Sequence, residues 1–252
     1  MKQIFNRIYN DYFMKSRLDE YEQLLKKFLN NNYQFIMIKD YDKMNKNGKY
    51  IIIRHDIDSD LKIAKKMFEI EKKLNIKSTF YFRLSTFDNK LIEDINKYGS
   101  EVGYHFEEIA NFCKENKNIS SSFVFDNLDE IKKTFINNVK KFENETNSKL
   151  YSVAAHGDFV NRKINVYNSI LMDEKVRKDI NVDIEAYDIE KNLDFRTCDC
   201  MYPKFWLTDP NTAIKEDKKK VLLLVHTRWW DKSPLIRFKN DFIRLVESVR
   251  YK

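Results

Sequence analysis

Glycine is scarce in this chain: there are four in 252 residues, alongside three prolines, three cysteines and three tryptophans. So few glycines leave little scope for the Gly-rich turns that cradle phosphates, and neither a dinucleotide-binding nor a phosphate-loop pattern occurs. Nucleotide hydrolysis and nicotinamide chemistry lose their support. Prolines are few and no Gly- or Ser-rich stretch exists, so no linker divides the chain, and no internal repeat stands out. The length suits one α/β domain, 1–252, with a sizeable core. The cysteines, Cys113, Cys198 and Cys200, form an odd set, for which reduced thiols are expected. The Cys198-x-Cys200 pair lacks two further ligands for a metal and reads as ordinary strand positions. Long apolar runs are also missing. The run VLLLV at 221–225 is far too short to span a bilayer. The opening MKQIFNRIYNDYFMKS lacks the apolar core of a signal peptide. A cytoplasmic protein with no membrane span is the expectation.

Charge, by contrast, is plentiful. The formal net charge is +7, which raises the question of nucleic acid. The lysines are spread along the chain and alternate with acids, and Lys218-Lys219-Lys220 reads as a solvated turn before a strand. No nucleic-acid motif supports that partner, so none is expected. A modest positive field does favour an anionic small substrate.

Apolar periodicity marks the elements. Leu18, Tyr21, Leu25 and Phe28 share one face of a helix over about 16–30. The Ile run before Arg54 suits a strand buried on both faces. Ser59 or Asp60 is placed to cap the following helix, with its stripe Leu61, Ala64, Met67, Phe68 and Leu74. Further strands are expected at 78–83, 101–105, 150–155 and 221–225, and Gly99 stands where a helix C-cap belongs. Leu128, Ile131, Phe135, Val139 and Phe142 form a long helix, and Phe238, Phe242, Leu245 and Val249 a final one. Alternating strands and helices predict parallel β/α units. A nearly closed barrel fits the length, with an open doubly wound sheet as rival.

The four histidines each follow an apolar, strand-like run: His55, His105, His156 and His226. Ligands of α/β folds gather beyond the carboxyl ends of the strands. The strongest segment is Arg54-His55-Asp56-Ile57-Asp58. Residues two apart share a strand face, so Asp56 and Asp58 converge, and a divalent cation would resolve their repulsion. Gly103-Tyr104-His105-Phe106-Glu107-Glu108 adds an imidazole followed by carboxylates. His156-Gly157-Asp158 and His226-Thr227-Arg228-Trp229-Trp230 complete the set. Gly103 and Gly157 permit a close backbone approach to a ligand or a tight turn. The tryptophans either wall a sugar cleft or pack in the core.

In order and spacing these segments resemble the polysaccharide deacetylase, or NodB-homology, superfamily, in its branch with an R-H-D-V-D first motif. The resemblance spans about residues 20–235 and rests on IIIRHDID, AKKMFEIEKKLNIKSTFYF, INKYGSEVGYHFE, AAHGD and LLLVHTRWW. It implies a single distorted (β/α) barrel of about seven strands, with residues 1–48 as a helical lead-in and a metal site at the strand carboxyl ends. It also implies Asp56 as general base, Asp58 and His105 as metal ligands and His226 as acid. The family's second motif is H-x-x-x-H, whereas the position four after His105 is Ile109. His156, Glu107 and Glu108 are the candidates for the third ligand, with His156 first. The pair of aspartates is spread to D-x-D, which leaves open which one is base, and the residue after the late histidine is Thr227 where the family has proline.

The reading is a metal-dependent hydrolase, zinc being the first candidate cation, that removes an acyl group from a sugar or glycan precursor in surface polysaccharide biosynthesis. Arg54, Arg83, Glu107 and Trp229 are the expected substrate-side residues, the two arginines either orienting an anionic group or holding the aspartates. Two rivals remain. One is an inactive protein on the same barrel that binds a glycan or nucleotide sugar. The other is a glycoside hydrolase pairing Asp56 with Asp158 or Asp209.

Overall fold

The computed structural model describes residues 2–44 and 48–250, with side chains other than those of residues 2, 3, 244, 245 and 248–250. Eight parallel strands form one curled sheet. They are β1 (Gln34–Ile36), β2 (Tyr50–Ile57), β3 (Thr79–Phe82), β4 (Glu101–Phe106), β5 (Ser152–Ala155), β6 (Ile184–Glu185), β7 (Phe195–Cys198) and β8 (Lys220–His226). Seven run in the order β6-β5-β4-β3-β2-β8-β7. β1 shares an edge of β2 with β3: it pairs Tyr50–Ile52, and β3 pairs Arg54–Ile57. The sheet is thus a half-barrel, a distorted (β/α) barrel of about seven strands. β6 and β7 are consecutive in sequence yet lie at opposite ends of the sheet. Residues 186–194 therefore cross the open side, and Ala186 and Ile189 pack there on Tyr50, Ile52, Leu222 and Leu224.

Strand alternation produces two layers of core. Ile51 and Ile53 face Tyr21, Leu25 and Phe28 of helix Leu18–Asn30 and Ile63 and Met67 of helix Leu61–Lys73. Tyr50 and Ile52, one residue out of phase, face the interior. The Ile run is buried on both sides, as its uninterrupted apolarity predicts. A third cluster joins Phe80, Phe82, Tyr104 and Phe106 to Phe135, Val139 and Phe142 of helix Leu128–Thr146. Gly99 caps helix Asn89–Tyr98 with φ at 91°, which suits a residue without Cβ.

Three local expectations need correction. Asp60 precedes helix Leu61–Lys73 in a left-handed conformation and makes no side-chain cap; its carboxylate is taken by buried Arg237 and by the Ser59 hydroxyl. Gly103 makes room for a ring: a Cβ there would stand 2.3 Å from Tyr81 Cε1 and 2.9 Å from the Ser152 carbonyl oxygen. At Gly157 an added Cβ would meet nothing nearer than 3.9 Å. The final helix, Pro234–Arg250, turns buried Arg237 inward and leaves Phe238 and Phe242 exposed, because Arg237 pairs with Asp60 and with the Arg228 carbonyl. The side chains of Leu245 and Val249 lie outside the described residues. No described helix is long and apolar enough to cross a membrane.

Candidate metal centre

β2 carries Arg54 and Asp56 on its interior face. The guanidinium grips the carboxylate with two parallel bonds, Nε to Oδ1 and Nη2 to Oδ2, each 2.8 Å. Both residues are buried. Burial alone would push the Asp56 carboxyl up, but Arg54, then His105 and His226, hold it below its usual range. Of the two roles open to Arg54, the structure shows the one of holding an aspartate. Tyr187 lies over its other side, with the guanidinium carbon 4.4 Å from the ring centre.

Asp58 follows at the strand end. Its Oδ1 stands 3.4 Å from His105 Nε2 and 3.3 Å from His156 Nε2. The ligand atoms of these three residues all lie within 4.8 Å of one another. His105 is the penultimate residue of β4, and its Nδ1 donates to the Ala154 carbonyl oxygen at 2.9 Å. That fixes the tautomer and leaves the Nε2 lone pair facing Asp58. His156 directly follows β5, and its Nδ1 stands 3.3 Å from Glu107 Oε2. Asp58 Oδ1 is buried and accepts no hydrogen bond. Three possible ligand atoms thus converge around an oxygen that has no hydrogen-bond partner. Buried polar atoms are normally partnered, so this arrangement calls for a cation. Two imidazoles and a carboxylate with one open position form a donor set that zinc accepts. The Asp58 carboxyl lies well below its usual range: burial pushes it up, and His156 and His105 outweigh that push.

Behind His156, Arg83 grips Glu107 through Nε and Nη2. Burial would raise the Glu107 carboxyl, but the contact to His156 and the Arg83 charge bring it down to about 2. Glu107 therefore stands behind an imidazole whose Nδ1 has no other partner. Glu108 turns away, accepting from the Tyr104 hydroxyl at 2.6 Å and from Asn138 at 3.0 Å, and burial pushes its carboxyl up. Ile109 explains the altered motif. The helix starts at Glu108, so Ile109 points into the core, fully buried.

The fourth histidine arrives by register. β2 and β8 pair Asp56 with His226. His226 Nδ1 lies 2.8 Å from Asp199 Oδ1. Asp199 Oδ2 accepts from the His226 amide at 2.7 Å and from Trp230 Nε1 at 2.8 Å. Burial would lower His226, but the Asp199 carboxylate, aided by the contact to Cys198, holds it well above the usual imidazole range. Asp199 is the residue that sequence reasoning missed. Its partners lie 27 and 31 residues away, and the surrounding C-D-C gives no sign of them. Trp230 is core and orients Asp199. Trp229 packs against the outer-layer cluster with Arg228 stacked over its ring, and does not join the centre. Trp230 also borders a groove of about 690 Å³ with Phe205 and Trp206, which contains none of the histidines. Asp158 caps helix Phe159–Ile164 and pairs with Lys114 at 2.9 Å. Asp209 binds the Asn211 amide at 2.9 Å. Both candidates for the one carboxylate a glycoside hydrolase would pair with Asp56 are thus committed elsewhere.

His55 faces the opposite way, as the strand period requires. It stacks flat on Phe80 with centroids 4.1 Å apart, and its Nε2 meets Glu71 Oε1 at 2.6 Å. Tyr21 and Ser78 complete the coordination of Glu71.

No protein-family model and no curated protein matches the chain. Among solved structures, the chain is similar to BA3943, a CE4 family pseudoenzyme from Bacillus anthracis, at 14% identity over 82% of this chain and 64% of that one, with a TM-score of 0.39. A mutant of that pseudoenzyme with restored enzymatic activity gives 14% identity over 82% of this chain and 66% of the other, with a TM-score of 0.40. A mutant of the peptidoglycan deacetylase PdaC from Bacillus subtilis matches at 14% identity over 78% of this chain and 85% of its own, with a TM-score of 0.43. This chain thus spans about two thirds of the length of the pseudoenzyme structures. The likeness to polysaccharide deacetylases anticipated from the motifs is found among solved structures, at low identity.

Proposed function

We propose that the protein is a metal-dependent deacylase that hydrolyses an N-acyl or O-acyl group on a sugar or glycan precursor. The observation that carries this reading is the convergence of Asp58 Oδ1, which has no hydrogen-bond partner, with His105 Nε2 and His156 Nε2. Asp58, His105 and His156 would hold the cation. Bound there, a divalent ion supplies Lewis acidity, polarising the acyl carbonyl and making a water easier to deprotonate near neutral pH.

The remaining steps belong to the chain's own side chains. Asp56 takes the water proton; Arg54 fixes its carboxylate in place and keeps it ionised when the substrate arrives. His226, held as imidazolium by Asp199, gives its Nε2 proton to the departing amine or alkoxide. Arg83 and Glu107 act behind His156 and orient its ring. Tyr187, partly exposed and above Arg54, is placed to pack on the sugar beside Asp56.

The test is incubation of the zinc-loaded protein with N-acetyl and N-formyl sugars and sugar nucleotides, followed by assay of free acetate, formate and reducing sugar. Free acid without glycosidic cleavage is expected. Free sugar would replace this reading with glycoside hydrolysis. Tight binding of one of these compounds, with no product from any, would replace it with a binding protein on the same barrel.

A further inference from the structure

Cys198 closes β7 with its Sγ 3.9 Å from His226 Nδ1 and 3.8 Å from Asp199 Oδ1, and the last two atoms are 2.8 Å apart. Thiolate, imidazole and carboxylate are the three ligand types that zinc takes from proteins. Bond lengths of about 2.0–2.3 Å from one ion can satisfy all three separations, with the ion to one side of their plane and a further position open. The trio shares no residue with Asp58, His105 and His156. Cys198 and His226 are only partly buried, so solvent can reach the site. Asp199 is held rigidly through its other oxygen by Trp230 and the His226 amide, which leaves Oδ1 for a cation. The thiol donates to the Asp199 backbone carbonyl at 3.2 Å, which holds Sγ beside the other two ligand atoms at the longer separations a shared ion would span.

We propose that Cys198, Asp199 and His226 form a second, inhibitory site for a thiophilic divalent cation such as zinc or cadmium. Binding displaces two protons to solvent, one from the Cys198 thiol and one from His226 Nδ1, and forms bonds to sulfur, nitrogen and the Asp199 oxygen. The imidazolium can then no longer form, and the leaving group loses its proton donor. The inhibitory half of this inference rests on His226 being the acid; the binding half does not.

Cobalt(II) is the probe, because a thiolate ligand produces a sulfur-to-cobalt charge-transfer band that oxygen and nitrogen ligands do not. Titrating the full chain should develop this band in the wild type, in Asp58→Asn and in Cys200→Ser. Cys198→Ser and Cys198→Ala should lack it. A wild type without the band, or a band that survives loss of Cys198, overturns the site. In the deacylation assay, excess zinc should inhibit the wild type. Relative to its own basal rate, Cys198→Ser should need at least roughly tenfold more zinc for the same inhibition, equivalent to about 1.4 kcal/mol. Equal sensitivity overturns the inhibitory role. If deacylation is never detected, the cobalt band still decides the site.

Discussion

The two faces of β2 carry the same kinds of residue and put them to opposite uses. On the outer face, His55 meets Glu71, and Tyr21 and Ser78 supply further partners for that carboxylate, all of them buried. Both oxygens of Glu71 face a hydrogen-bonding neighbour. On the inner face, Arg54 satisfies Asp56, but Asp58 Oδ1 faces two imidazoles without a hydrogen-bond partner. Charge does not separate these faces, since both are ionic, and each leaves a buried polar atom unpartnered, His55 Nδ1 outside and Asp58 Oδ1 inside. Access and convergence do: the outer network is fully buried, whereas Asp58 and His156 are partly exposed and bring their ligand atoms together with His105 Nε2 at the open end of the strands.

Substitutions should separate the two faces by what they damage. The largest effect is expected inside. Asp56→Asn should lower kcat by about 10²–10⁴-fold while the protein still folds, with a lowered melting temperature because buried Arg54 loses its charged partner, as measured by acid release and thermal melts. Asp58→Asn should remove bound metal, as read by elemental analysis, and activity with it. Outside, the pattern inverts: Glu71→Leu leaves His55 buried without its partner and should cost about 3–5 kcal/mol in denaturant unfolding. Its effect on kcat at permissive temperature should be small, and a large one would mean that the faces are coupled.

Arg83→Ala frees Glu107 behind His156 and should weaken metal affinity by about 10–100-fold without unfolding the protein. Glu107 also gives a pH signature. Its carboxyl is depressed to about 2 from an ordinary value of 4.5, so its contribution to stability is present above about 4.5 and fades as pH falls toward 2. The difference in melting temperature between wild type and Glu107→Gln should shrink over that window. For His226 the sign is reversed. Its raised value means that the imidazolium contributes stability at acidic and neutral pH and loses it as pH climbs through the folded-state value. Asp199→Asn should therefore bring the alkaline limb of the rate profile down toward the ordinary imidazole range. The smallest effect belongs to neither face: Phe238→Ser, on an exposed position, should change stability by no more than about 0.5 kcal/mol.

Much of the fold was legible because periodicity is local. The Ile run of β2, the stripes of the helices over 18–30 and 128–146, and the cap at Gly99 follow from neighbours within a few residues. The region from 181 to 208 was not. Its strands are two and four residues long, and they sit at opposite edges of the sheet. At the site, motif order named Asp56, Asp58, His105, His156 and His226, and the fold brings them to one end of the barrel. Asp199 and its bonds to His226 and Trp230 stayed hidden because hydrogen bonds between segments far apart in the chain leave no spacing to read. The two tryptophans could not be told apart for a related reason: in an adjacent pair, nothing local says which ring packs in the core.

The sequence by itself determined the alternation of strands and helices, the scarcity of glycine that rules out a phosphate loop, and the set of imidazoles and carboxylates at strand ends. These depend on residue type and on periods of two and 3.6, which a linear chain displays. Only the tertiary structure decided which histidine lies outside and which inside, that Ile109 is core and His156 stands beside Asp58, and that Cys198 shares a corner with His226. Those outcomes depend on register and sheet curvature, which are set by contacts between strands far apart in the chain.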